Sequence, residues 1–178
     1  MVVTAEEKGL LGADYFVHNP TTMSVENIVA NVNLDMPLFL YPVADVIAFG
    51  EQHSSLSGPV AKGARAAGFE VTPDPMPEEV LFIRSDQYPF VQKGIPAVFF
   101  VPGMKSTDPN VDGQAIFMDF LTNHYHTPSD DLSRPVHWES AEKFALANFV
   151  LGMEIANDWE RPTWNEGDFF GVKFGRDQ

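Results

Sequence analysis

Two glutamates stand side by side at Glu6 and Glu7, after the apolar Val2-Val3-Thr4 and before the helix-like stretch from Gly9. Carboxylates at such a junction lie where α/β sheets present functional groups, in the crevice beyond the carboxyl ends of the strands. A second apolar run, Ile28 to Leu34, ends in the same way at Asp35. Two strand ends therefore deliver three carboxylates. His126 stands in a loop as Tyr125-His126-Thr127-Pro128-Ser129-Asp130, and its imidazole could complete a nitrogen-and-oxygen site of the type that zinc accepts. The chain has no cysteine, so it has no disulfides or thiolate ligands, and any metal must be held by His, Asp and Glu.

Each residue also has a plainer reading. A Glu-Glu pair suits the first turn of a helix, Asp35 before Pro37 suits a turn, and a loop histidine suits the surface. His124 could face the same way as His126 on an extended loop. His53 and His137 read as surface or capping residues, and His18 as a partner for the carbonyl end of a helix.

The elements that must carry these groups alternate. Strands are expected at Val2–Thr4 (the end of a buried one), Ile28–Leu34, Val43–Phe49 and Ile95–Val101, the last being the most apolar. Helices are expected over Gly9–Val17, over Pro59–Ala67 closed by Gly68, over Asp86–Lys93 closed by Gly94, and from Trp138 to Trp159. Val80–Ile83 leads into a loop at Arg84-Ser85-Asp86. Pro102 to Pro135, rich in Pro, Gly, Asp, Asn and Ser, reads as a long functional loop. This alternation specifies an α/β three-layer sandwich, with a mixed, mainly parallel central β-sheet flanked by helices.

Length and composition fit one domain over residues 1–178. A net charge of −14, from 25 acidic and 11 basic residues, argues against nucleic acid and anionic membrane as partners, since both are bound by clustered Lys and Arg. The N-terminus has no basic segment followed by a long apolar run, so neither a signal peptide nor a membrane span is read there.

Taken together and in order, Thr4-Ala5-Glu6-Glu7-Lys8-Gly9-Leu10-Leu11-Gly12-Ala13, Asn33-Leu34-Asp35-Met36, Arg84-Ser85-Asp86 with Phe90 and Gly94-Ile95-Pro96-Ala97, and His126-Thr127-Pro128-Ser129-Asp130 resemble the co-catalytic dizinc aminopeptidases. The same fold family includes glutaminyl cyclases and transferrin-receptor-like domains. The resemblance implies two zinc ions, with Glu7 and His126 ligating one and Asp35 the other. It further implies Glu6 as general base, Asp86 at the substrate-side rim, Asp130 steadying the His126 loop, and peptide or protein N-termini as substrates. It also implies a secreted or periplasmic parent protein.

In that family a histidine in a His-x-Asp segment and a metal-bridging aspartate precede the glutamate pair, and neither is found here. The expectation is a catalytic domain truncated at its N-terminus, without its first strands, that self-associates through an open sheet edge. Three readings stay open: a peptidase piece that is inactive alone, a short form with substitute ligands such as His124, His53 or Asp130, or a non-catalytic interaction module. Glutaminyl-cyclase-like acyl transfer is the enzymatic alternative.

Overall fold

The computed structural model describes residues 1–176. Four strands form one mixed sheet in the order β1-β4-β2-β3, with β1 Asn31–Asn33, β2 Asp45–Phe49, β3 Glu70–Thr72 and β4 Ala97–Pro102. β1 runs parallel to β4 and β2 parallel to β3, while β2 and β4 are antiparallel. The helices are α1 Leu11–His18, α2 Ser57–Ala66, α3 Tyr88–Gln92, α4 Gly113–Asn123, α5 Trp138–Asn157 and α6 Phe169–Phe174.

Alternation along the central strands makes the layers, because successive side chains leave a strand on opposite faces. Val46, Ala48, Val98 and Phe100 turn to one face and meet Val60 and Ala64 of α2 and Phe144, Ala147 and Leu151 of α5. Ile47, Phe49, Ala97 and Phe99 turn to the other and meet Phe82, Val91, Trp164, Phe170 and Phe174. A third cluster joins Ala13 and Val17 of α1 to Phe90 and Ile95. The sheet is thus covered on both faces, as a three-layer sandwich requires.

The strand expected at Val2–Thr4 is irregular chain. Its carbonyls are taken locally: Thr4 O accepts from Gly12 N at 3.0 Å, and Ala5 O accepts from Lys8 N and Leu11 N. Only the last part of Ile28–Leu34 pairs as β1, and Ile28 instead packs beside the α1 cluster. Sequence reading passed over β3, a three-residue strand too short for an alternation to register, and α6. It also passed over α4, inside the segment taken as loop. The cue was present: Asp112 caps α4 by accepting from Ala115 N at 3.0 Å, and Phe120 four residues into the apolar spacing is buried. Gly68 and Gly94 close their helices with φ of +77° and +75°, a conformation that glycine adopts without penalty. Among the described residues no helix is long and apolar enough to cross a membrane.

Candidate active site

Glu6 and Glu7 occupy a 3-10 turn over Glu6–Lys8, between the irregular N-terminal segment and α1. Asp35 lies two residues beyond β1, at the carboxyl end that β1 shares with the parallel β4. Ser85 and Asp86 precede α3, and His126 lies in the loop joining α4 to α5. Three non-glycine residues here hold a left-handed backbone: Ala5 before Glu6 (φ 60°), Met36 after Asp35 (φ 47°) and His126 itself (φ 57°). Each costs roughly 1 kcal/mol or more, and such strain concentrates where side chains must be aimed.

The turn and the loop meet directly. His126 Nε2 is 2.5 Å from Glu7 Oε1, and the Tyr125 ring stacks on the His126 imidazole with centroids 3.7 Å apart. Asp35 is fixed from below by a polar relay. Ser85 Oγ donates to Asp35 Oδ2 at 2.9 Å, and Asn33 Nδ2 donates to both Ser85 Oγ and the fully buried Gln87 Oε1. Gln87 Nε2 in turn donates to Phe82 O at 2.6 Å. Sequence reading gave no role to Asn33, Gln87 or Tyr125; Asn33 opens the motif that holds Asp35, Gln87 follows Asp86, and Tyr125 adjoins His126.

The electrostatics tie the group together. Burial, then the neighbouring Asp35, Glu7 and Asp86 carboxylates, hold Glu6 above the ordinary glutamate range, against the opposing pull of His126. Burial and then Asp35 raise Asp86 in the same way, and its Oδ1 is buried without a hydrogen-bond partner among the described residues. Burial, followed by Glu7, Asp35 and Glu6, raises the Tyr125 phenol, so it stays a hydrogen-bond donor. Arg84, whose charge opposes the rise at Tyr125, is engaged with Glu79 at 2.9 Å.

Other candidates lie elsewhere. Among the described residues the Asp130 carboxylate makes no hydrogen bond to His126; the loop is tied by the His124 Nδ1 and Ser129 Oγ contact at 2.8 Å and by Thr127. His53 pairs with Asp168 at 2.6 Å and stacks on Phe82. His137 caps α5, accepting from Ser140 N, and His18 Nδ1 lies 2.9 Å from Asp14 O. A cleft of about 1280 Å³ is lined by Ile28, Val29 and Pro96 at the opposite ends of β1 and β4 and holds none of the candidate residues.

The donors suit zinc in type: one imidazole and several carboxylates, with an unpartnered buried carboxylate oxygen at Asp86 that a cation or a cationic ligand would satisfy. They do not enclose an ion, because among the described residues no three His, Asp or Glu side chains gather closely enough to do so.

Comparison with known proteins shows the family and the fold. The chain belongs to peptidase family M28, whose family model matches residues 1–151. In fold it is similar to a zinc aminopeptidase from Bacillus subtilis, at a TM-score of 0.60 and 20% identity over 94% of this chain and 38% of that one. A second structure of the Bacillus subtilis enzyme gives 0.59 at 22% identity over 87% and 34%. An aminopeptidase from Aneurinibacillus sp. strain AM-1 gives 0.53 at 19% identity, over 92% and 33%. The chain therefore spans about a third of the length of these neighbours. No curated protein matches it.

Proposed function

We propose that this chain forms the Glu6, Glu7, Asp35 and His126 part of a zinc-dependent aminopeptidase site that hydrolyses the N-terminal peptide bond of peptides and proteins. The observation that carries this reading is the 2.5 Å approach of His126 to Glu7 beside Glu6, which joins an imidazole from one motif to the adjacent carboxylates of another.

Glu7 and His126 would hold one metal and Asp35 a second, and bound zinc supplies Lewis acidity at neutral pH. The rest falls to the protein's own groups. Glu6 takes a proton from the attacking water and returns it to the leaving amine, a task that a carboxylate with a raised pKa performs well near neutrality. Asp86, at the rim and otherwise uncompensated, is suited to the cationic N-terminus of a substrate. Tyr125, protonated and stacked on His126, can donate to a substrate carbonyl. Ser85 orients Asp35 through the hydrogen bond to Oδ2.

A second reading, a binding module of the same fold, is favoured by the absence of any three gathered ligands among the described residues. Hydrolysis of an aminoacyl anilide in added zinc separates the two. The peptidase reading expects turnover that Glu6→Gln abolishes while zinc uptake persists. A protein that takes up no zinc and hydrolyses nothing sinks it. Cyclisation of N-terminal glutamine without anilide hydrolysis would reassign it to acyl transfer.

A further inference from the structure

Residues 158–176 follow α5 and lie beyond the family match to residues 1–151. They return across the sheet as a strap. Thr163 O accepts from Ser55 N and Asn165 N donates to His53 O, both at 2.9 Å, which brings α6 against the face that carries Phe49, Phe82 and Phe99. Asp168 works in two directions. Its Oδ1 caps α6 by accepting from Phe170 N at 2.9 Å, while its Oδ2 lies 2.6 Å from His53 Nδ1. The two side chains are only 12% and 24% exposed. His53 stacks on Phe82 with centroids 5.4 Å apart, and Phe170 stands edge-on to both rings, at 4.9 Å from His53 and 5.1 Å from Phe82. Phe82 in turn fills the space of a side chain at Gly50, where any Cβ would overlap the ring. Burial of this face asks only for apolar side chains, and a part-buried His and Asp pair is a costlier way to achieve it. What the pair adds is direction.

Phe82 is also the far end of the relay under Asp35. It lies in the 3-10 turn Leu81–Ile83, entered through Val80 at φ 52°. Phe82 O accepts from Gln87 Nε2, and Gln87 Oε1 accepts from Asn33 Nδ2. Asn33 also donates to Ser85 Oγ, which donates to Asp35 Oδ2. One residue thus presents its ring to the strap and its carbonyl to the relay. Gln87 is fully buried, so its amide has no solvent to turn to and must follow the Phe82 carbonyl if that moves. We propose that the strap is a positioning element for the site: through Asp168, His53 and Phe170 it holds Phe82 on Gly50, and so sets the Gln87, Asn33 and Ser85 geometry that aims Asp35. That this aim matters to a metal rests on the role proposed above for Asp35; the coupling along the relay does not.

The test uses the intact chain and reads the relay without metal, from the side-chain amide NMR signals of Asn33 and Gln87. Asp168→Asn has one oxygen where Asp has two, so it cannot both cap α6 and accept from His53. Phe170→Leu keeps the apolar bulk and loses the ring edge. Both should move the Asn33 and Gln87 signals in chelator, and both should weaken zinc binding by about 2-fold to 30-fold, the range of coupling carried through packed networks. In a Ser85→Ala background that loss of affinity should disappear, because the route runs through Ser85. Val60→Ala, in a fully buried site on the opposite face of the sheet, should do neither at a comparable loss of Tm. Signals that stay in place in both strap variants would overturn the proposal, as would signals that move equally in Val60→Ala, the mark of general loosening. A zinc effect undiminished in the Ser85→Ala background would overturn the route through the relay. An unaltered chain that takes up no zinc contradicts the proposed metal site instead, and the metal-free signals still decide for or against the strap.

Discussion

His126 Nε2 lies 2.5 Å from Glu7 Oε1, although the residues are 119 positions apart in the chain. Both side chains are more than half exposed, so the contact is not a product of core packing. Two strained backbone positions, Ala5 and His126, bracket it. If these two side chains act as one ligand pair, removing either removes most of the pair's worth, and the effects do not add. Glu7→Gln and His126→Ala should each lower zinc affinity at least about 10-fold to 100-fold, and the double variant should fall little further, as read by competition with a chromophoric chelator.

Asp86 gives a prediction with a definite sign. Its carboxyl is held above the ordinary range in the folded protein by burial and by Asp35, so the folded state binds its proton more tightly than the unfolded state. Stability therefore falls as pH rises through that raised pKa, and stays lower above it. In the presence of a chelator, Asp86→Asn should raise Tm at pH 7. The advantage should vanish below about pH 4, where the carboxyl is protonated in both states. A scanning calorimetry series across pH tests this, and equal Tm values at pH 7 would contradict it.

The relay beneath Asp35 predicts a separation of effects. Ser85→Ala removes the donor to Asp35 Oδ2 and should weaken metal binding about 10-fold to 100-fold with only about 1 kcal/mol lost from folding. Gln87→Ala strips partners from both Asn33 and Phe82 O in a fully buried position. It should cost about 2–4 kcal/mol in denaturant unfolding.

Packing between α2 and α5 predicts a larger effect. A Cβ at Gly63 would meet Ala147 O at 2.5 Å, so Gly63→Ala must push the helices apart and should destabilise by about 1–3 kcal/mol. Leu151→Ala, in a fully buried site, should cost about 2–5 kcal/mol.

How much of this was legible in the sequence follows from the range of the forces involved. β2, β4 and α5 announced themselves because their apolar periodicity reflects burial they cannot escape, and Glu6, Glu7, Asp35 and His126 because they stand in motifs whose order resembles that of the dizinc aminopeptidases. Val2–Thr4 was misread because three apolar residues specify a strand only when another strand is there to pair with them, and here Thr4 O turns to Gly12 N instead. α4 was hidden by the Pro- and Gly-rich sequence around it, and α6 is a single capped stretch with no buried residue. The contacts that arm the site, Ser85 with Asp35 and Tyr125 over His126, depend on where distant loops come to rest, and residue spacing does not encode that.

The central claim is that Glu6, Glu7, Asp35 and His126 form one metal-dependent hydrolytic site. Equilibrium zinc binding to the purified chain, compared with Glu6→Gln and with the Glu7→Gln/His126→Ala double variant, tests it most directly. The account predicts saturable zinc uptake that Glu6→Gln leaves largely intact and that the double variant loses by about 100-fold or more. Zinc uptake that is absent, or that is the same in all three proteins, would contradict it.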